Sequence, residues 1–292
     1  MSDKEVTGKT RICALIGDPV EHTMSPVMHN TAYKKLGLDY IYIPFRVEPE
    51  QLSQAVEGLR ALNVTGFNVT IPHKVSIISM LDGLDPLAEK IGAVNTVVNA
   101  DGVLRGYNTD AEGFLRALLE RGVEPDGKNV VVLGAGGASR AITYILAEKV
   151  AGLTILNRML EMDWAEAIAE LIREDFGKIV QVMELRDEYL AEALQKADIL
   201  VNATSVGMSP GGEASPVPAG LLKDRLVVFD VVYNPMVTRL LREARNAGDR
   251  TIGGIDMLAW QGALAFEKWT GKKAPLDLMR KEAVKMLERH ED

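Results

Sequence analysis

The stretch 130–141, VVVLGAGGASRA, constrains the fold more than any other part of this 292-residue chain. Four apolar residues end at Gly134, Gly136 and Gly137 follow, and a helix-like apolar spacing then takes over. Buried parallel strand, glycine turn and helix start, in that order, are how an open α/β sheet makes a dinucleotide phosphate site. Glycine allows the sharp turn and the close approach of a pyrophosphate with no Cβ in the way. The free N–H groups of the first helical turn then face the phosphate charge. The pattern is GxGGxS, with Ser139 where a third glycine commonly stands. An ordinary glycine-rich strand–helix turn would read alike. A second apolar strand at 153–156 favours the cofactor reading.

The rest of the chain repeats the same alternation. Ahead of the glycine turn come a strand (ICALIG), a helix closed by Gly37, a strand at 40–45 and a helix through Leu52, Val56 and Leu59. A strand at 66–70 leads into IPHK, with a further helix and the strand-like 93–99 after it. Beyond the turn, strands LTILN, ILVNAT and LVVFDVVY alternate with helical stretches, and two helices close the chain. Such alternation implies mostly parallel sheets. The expected fold is α/β in two domains with a cleft between them: 1–110 plus 256–292 for substrate, and a Rossmann-like NAD(P)-binding domain over 111–255.

Several function classes are excluded early. A net charge of −8 argues against a nucleic-acid surface, since phosphate binding demands a basic face. No apolar run approaches the ~20 residues of a membrane span, and the N-terminus lacks a signal-peptide core, so the cytoplasm is expected. The single cysteine, Cys13, reads as core filling, and four scattered histidines make no metal-ligand set. Homodimerisation is compatible with the sequence.

Polar residues gather where open α/β sheets bind ligands, just after strands or at helix starts. The clusters are Thr23-Met24-Ser25, Asn68 to Lys74, Gly92 to Thr96, and Asn108-Thr109-Asp110. Hydroxyls, amides, one lysine and one aspartate suit a small polyhydroxylated acid and the transfer of one proton. Taken singly, each has a plainer reading. Thr23, Ser25 or Asp110 would cap the following helix, Asn68 and Asn95 would form turns, and Lys74 would be a solvated lysine.

Taken together with the glycine turn, these residues make the chain resemble the shikimate dehydrogenases, including the quinate/shikimate group. The resemblance rests on eight ordered blocks: GDPVEHTMSPVMHN, GFNVTIPHK, IGAVNTVVN, GYNTDAEGF, VVLGAGGASRA, LVNATSVGM, VVYNP and GGIDMLAWQGALAFEKWTG. It implies reversible reduction of 3-dehydroshikimate to shikimate by NADPH, a step of chorismate biosynthesis. By the same resemblance Thr23, Ser25 and Tyr233 would hold the substrate carboxylate. Asn68, Thr70, Asn95, Asp110 and Gln261 would bind ring hydroxyls, and Lys74 and Asp110 would form the catalytic pair. Gly134, Ala135, Gly136, Gly137, Ala138, Asn157, Arg158, Thr204, Val231, Gly254 and Met257 would hold the cofactor, with no metal. Chemistry agrees on the lysine, because a ketone accepting hydride needs a proton donor at its oxygen.

Three departures bear on specificity. An arginine at 158 suits the 2′-phosphate of NADP, and Arg140 could assist. The family's NRTxxR, however, reads here Asn157-Arg158-Met159-Leu160-Glu161-Met162, which makes NAD use plausible. Thr23 replaces the first serine of the family's Ser-x-Ser pair, keeping the donor and adding a methyl group that would tighten the pocket around the carboxylate or the C1 substituent, where shikimate and quinate differ. Asp256 brings a carboxylate near the cofactor end. The alternatives are therefore a quinate/shikimate dehydrogenase using NAD or both cofactors, and an NADP(H)-binding regulator without turnover.

Overall fold

In the computed structural model, which describes residues 5–291, the chain divides into two units. One runs to Thr109 and resumes over Ala259–His290, and the other is Asp110–Leu258.

The first unit contains β1 (Arg11–Gly17), α1 (Ser25–Leu36), β2 (Tyr40–Arg46), α2 (Leu52–Ala61), β3 (Gly66–Val69), β4 (Gly83–Leu84), α3 (Pro86–Ile91), β5 (Thr96–Ala100) and β6 (Val103–Tyr107). Its sheet has the order β2-β1-β3-β5-β6-β4. Pairs β1–β2, β1–β3 and β4–β6 are parallel, whereas β3–β5 and β5–β6 are antiparallel. The alternation read from sequence misses this reversal because the strand after β5 is short and half polar. The cause is local: Asp101 (φ 53°) and Gly102 (φ 89°) both adopt positive φ, the two-residue hairpin turn that matches strand twist. Ala14, Ile16, Phe67, Val69 and Val97 of the strands pack on Leu52, Val56 and Leu59, the apolar stripe of α2. Cys13 is fully buried beside Tyr33 of α1, and burial pushes its thiol up to about 12, so it fills core.

The second unit begins with α4 (Asp110–Glu120) and continues through β7 (Asn129–Leu133), α5 (Gly137–Ala147), β8 (Gly152–Asn157), α6 (Met162–Phe176), β9 (Gln181–Glu184), α7 (Asp187–Lys196), β10 (Ile199–Asn202), β11 (Val227–Asp230), α8 (Arg239–Asn246) and β12 (Arg250–Gly253). All six strands are parallel, in the order β12-β11-β10-β7-β8-β9. This is the doubly wound arrangement, whose direction reverses between β7 and β10. Both faces of such a sheet are covered, so its strands read as unbroken apolar runs. Leu133, Leu156, Leu200 and Val228 meet Leu190, Leu194, Leu240 and Leu241 in one core. Each such buried side chain contributes about 1.5–3 kcal/mol.

Helix α9 (Gly254–Thr270) starts in the second unit and ends in the first, and α10 (Leu276–Glu291) follows. No helix among the described residues is long and apolar enough to cross a membrane.

One local expectation changes. After IPHK the chain forms a 3₁₀ run, Ser76–Met80, instead of an α-helix. Serines and β-branched residues there are weak helix formers. Strand β9 begins at Gln181, and Ile179 lies outside it, 85% exposed.

Candidate active site

In the first unit the polar residues singled out from sequence converge on one buried network. Asn68, at the end of β3, donates Nδ2 to Thr96 Oγ1 (3.0 Å) and to the Asn95 carbonyl (3.1 Å). Asn95 Oδ1 accepts from the Thr109 backbone N–H (2.7 Å), and Asn95 Nδ2 donates to Thr109 Oγ1 (2.9 Å) and to Gln261 Oε1 of α9 (3.4 Å). Asn68, Asn95, Thr96, Thr109 and Gln261 are all buried. Buried polar groups persist where they are satisfied, and these satisfy one another. The asparagines thus form part of a polar cluster, not simple turns.

One member escapes the sequence reading. Tyr42 of β2 is buried, and its hydroxyl donates to Asn68 Oδ1 at 2.8 Å. With Nδ2 committed to Thr96 and Asn95, this bond fixes which way the Asn68 amide points. The only signal in the sequence was a tyrosine in an apolar strand, where aromatic residues are common.

The loop after β1 is tied to the same region. Asp18 N–H donates to the Ile71 carbonyl at 2.9 Å, and Thr70 N–H to that of Ile16 at 3.0 Å. Gly17 is required there, since a Cβ would lie 2.2 Å from Thr70 Cγ2. Ser25 is buried and Thr23 half-buried, and Thr23 Oγ1 donates to Ser25 Oγ at 3.3 Å. The N-cap position of α1 is Met24, which makes no side-chain cap, and Thr23 Oγ1 accepts the Ser25 N–H at 3.3 Å, satisfying the first N–H of the helix. Lys74 is half-buried in the turn after Thr70, and its carbonyl accepts Val94 N–H at 2.7 Å, next to Asn95.

In the second unit the glycine turn is built as its sequence implies. Gly134 ends β7 with φ +96°, and a Cβ on it would meet Thr204 Cγ2 at 3.0 Å. Ser139 is satisfied internally, donating Oγ to the Gly134 carbonyl at 2.6 Å, which braces the turn in place of a third glycine. At Gly136, just before α5, an added Cβ would meet nothing within 4 Å. Open space over a helix N-terminus fits an anionic pyrophosphate. Ala135 is buried, and Gly137 and Ala138 open the helix, with Arg140 on its first turn. Asn157, the last residue of β8, is buried and donates to the Glu161 carbonyl at 2.6 Å, while Arg158 is exposed and ion-paired with Glu161.

The two remaining strand ends are locked together. Asp230 is fully buried at the end of β11. It accepts from Asn202 Nδ2 (2.9 Å), Val232 N–H (3.0 Å) and Thr238 Oγ1 (2.6 Å). Asn202 Oδ1 in turn accepts from Thr204 N–H and Oγ1. The loops carrying Thr204, Val231 and Tyr233 are therefore held by one carboxylate, which burial pushes up to about 6. Gly254 presses so close to Val231 that a Cβ would lie 2.2 Å from its carbonyl oxygen, and Met257 follows one turn on, buried. Asp256 pairs with Arg121. Asp110 is the buried first residue of α4, where a carboxylate suits the helix dipole.

Comparison with known proteins gives a consistent answer along the chain. The family model for the shikimate dehydrogenase substrate binding domain matches residues 15–97. That for shikimate / quinate 5-dehydrogenase matches 118–215, and the shikimate 5'-dehydrogenase C-terminal domain matches 254–284. The shikimate dehydrogenase (NADP(+)) of Methanopyrus kandleri is 47% identical over 285 residues, 97% of this chain and 98% of that one. A crystal structure of a shikimate dehydrogenase in complex with NADP+ superposes with a TM-score of 0.90 at 42% identity, covering 97% and 98% of the two chains. The Listeria monocytogenes shikimate 5-dehydrogenase, in complex with shikimate and NAD, gives 0.87 at 42% identity, covering 96% and 98%. The chain belongs to the shikimate dehydrogenase family.

Proposed function

We propose that this protein is a shikimate dehydrogenase that reversibly reduces 3-dehydroshikimate to shikimate with NADP(H). The observation that carries the reading is the buried network of Asn68, Asn95, Thr96, Thr109 and Gln261. It offers amide and hydroxyl groups in fixed orientations, which is what selecting among the hydroxyls of a polyol acid requires.

NADPH, when bound, supplies the hydride for the carbonyl carbon. The chain's own residues do the rest. Thr23, Ser25 and Tyr233 are assigned the substrate carboxylate. Asn68, Thr70, Asn95, Asp110 and Gln261 are assigned its hydroxyls, which orients one face of the ring. The Lys74 ammonium donates a proton to the ketone oxygen during reduction, and its amine recovers one in the reverse direction. Asp110 is assigned the orientation of that ammonium. The residues assigned to the cofactor are Gly134 to Ala138, Asn157, Arg158, Thr204, Val231, Gly254 and Met257. The open backbone at Gly136 and the guanidinium of Arg158 suit its pyrophosphate and 2′-phosphate. In this division of labour segments 1–110 and 256–292 serve the substrate and 111–255 the cofactor.

The test is a matrix of initial rates, shikimate and quinate each with NADP+ and NAD+. The expected result is the highest kcat/KM for shikimate with NADP+. Dominant quinate turnover would reassign the substrate, and tight NADP(H) binding without turnover in any combination would leave a binding protein instead of an enzyme.

A further inference from the structure

The guanidinium assigned to the 2′-phosphate is already engaged. Arg158 donates Nε to Glu161 Oε2 at 3.2 Å and Nη2 to Oε1 at 2.6 Å, so one carboxylate occupies two donors of the fork. This is the geometry a phosphate would use. Glu161 is held in place for it. It ends the 3₁₀ turn Met159–Glu161, and its carbonyl accepts from Nδ2 of buried Asn157 at 2.6 Å. Arg158 is 74% exposed and its partner 26%, so the carboxylate is the more anchored of the two.

Nothing else in the turn offsets that charge. Met159, Leu160 and Met162 are uncharged, and Asp163 follows, so 158–163 holds one cation and two carboxylates. A phosphate dianion arriving at Arg158 has to displace Glu161 and then remain beside it. A ribose 2′-hydroxyl meets no such repulsion and finds an acceptor, the role acidic residues play after the second strand of NAD-binding folds.

We propose that Glu161 is a specificity-determining residue for the cofactor. By holding the Arg158 fork it weakens the grip on a 2′-phosphate and accepts from a 2′-hydroxyl, so the enzyme uses NAD(H) alongside NADP(H). The inference rests on the reading of a nicotinamide dinucleotide bound at the glycine turn.

Calorimetric titration of wild type and Glu161→Gln with NADP+ and with NAD+, each without substrate, tests it. The substitution keeps the side-chain length on an exposed turn and removes the charge. Wild type is expected to bind both cofactors. The variant is expected to bind NADP+ about fivefold more tightly, the scale of one exposed ion pair, and NAD+ no more tightly than wild type. The ratio of kcat/KM values for the two cofactors should move the same way. Equal changes for both cofactors, or none, would overturn the role of Glu161 while leaving the dinucleotide site standing. Failure of wild type to bind either cofactor would overturn the site itself, and this inference with it.

Discussion

Asp256, 2% exposed on the first turn of α9, lies against Arg121, which donates Nε to Oδ2 at 2.9 Å and Nη2 to Oδ1 at 3.0 Å. Arg121 immediately follows α4, so the pair ties the end of one helix to the start of another, 135 residues on. A buried carboxylate that loses an ion-pair partner is left less well compensated. Arg121→Ala is expected to lower stability by about 2 kcal/mol, less than for a fully buried pair because the arginine is half exposed. Adding Asp256→Asn should recover much of the loss. Urea denaturation of the single and double variants checks both; an Arg121→Ala midpoint equal to wild type would mean the pair contributes nothing.

Gly136 and Gly254 separate two uses of glycine. A Cβ at Gly136 meets nothing within 4 Å and its φ of −75° is ordinary, so Gly136→Ala is expected to fold with stability within about 1 kcal/mol of wild type. The methyl group would stand where the proposed site takes the pyrophosphate, and the KM for NADP+ should rise at least about tenfold with that for shikimate nearly unchanged. At Gly254 the same change puts Cβ 2.2 Å from the Val231 carbonyl oxygen, and α9 has to shift. Gly254→Ala should lower Tm as well as cofactor affinity. Thermal melts beside steady-state kinetics distinguish the two patterns.

Tyr42 links the aromatic core to the Asn68 amide. Its ring stacks on His29 with centroids 4.4 Å apart and an 8° interplanar angle. His29 is buried with no hydrogen-bond partner on either ring nitrogen, and burial pushes it down to about 3, so it packs as a neutral ring. Tyr42→Phe keeps that packing and removes the hydroxyl that donates to Asn68 Oδ1. The expected stability loss is about 1 kcal/mol, with KM for shikimate up about threefold to tenfold and KM for NADP+ unchanged. An unchanged KM for shikimate would mean Asn68 needs no such bracing.

What the sequence made legible was local. The glycine turn, the apolar strands around it and the Gly37 helix stop follow from residues within a few positions of one another, and the structure contains them. The polar clusters could also be located, because each falls at a strand end. Their partners could not. Asn95 and Gln261 are 166 residues apart, Tyr42 and Asn68 lie on strands separated in the sheet by β1, and Arg121 finds Asp256 only through tertiary packing. Periodicity carries no information about such pairings. The antiparallel β5–β6 hairpin was hidden differently: β6 is five residues with an arginine and a glycine inside it, too short and mixed for a strand signal.

Lys74 is the group to which the proposed proton transfer assigns the acid. Lys74→Ala should leave Tm close to wild type, because the residue is only half-buried and lies in a turn. The kcat should fall about 10²–10⁴-fold, the usual contribution of a positioned acid or base. Turnover near wild type would remove Lys74 from the chemistry.

Asp230 gives the fold a pH signature of its own. Burial raises its pKa from 3.8 to about 6, against the opposing effect of three hydrogen bonds donated to it. The sign follows from proton counting. Between about 4 and 6 the folded chain holds a proton on this group that the unfolded chain has lost, so the stability it contributes is full below about 4 and is lost as pH rises through 6. The gap between the two pKa values corresponds to roughly 3 kcal/mol at most. Asp230→Asn imitates the protonated state: its oxygen still accepts from Asn202 and Val232, and its amide donates to Thr238 Oγ1 where the carboxylate accepted. The stability of wild type relative to this variant should therefore fall between pH 4 and 6 and stay level from 7 to 8, as read by urea denaturation across that range. A difference that grows in favour of wild type with rising pH would mean that the three donors outweigh burial and that the carboxylate is the favoured form. Because the same group braces the loops of Thr204 and Tyr233, the NADP+ KM of wild type should show no matching step between pH 7 and 8, where Asp230 is ionised throughout.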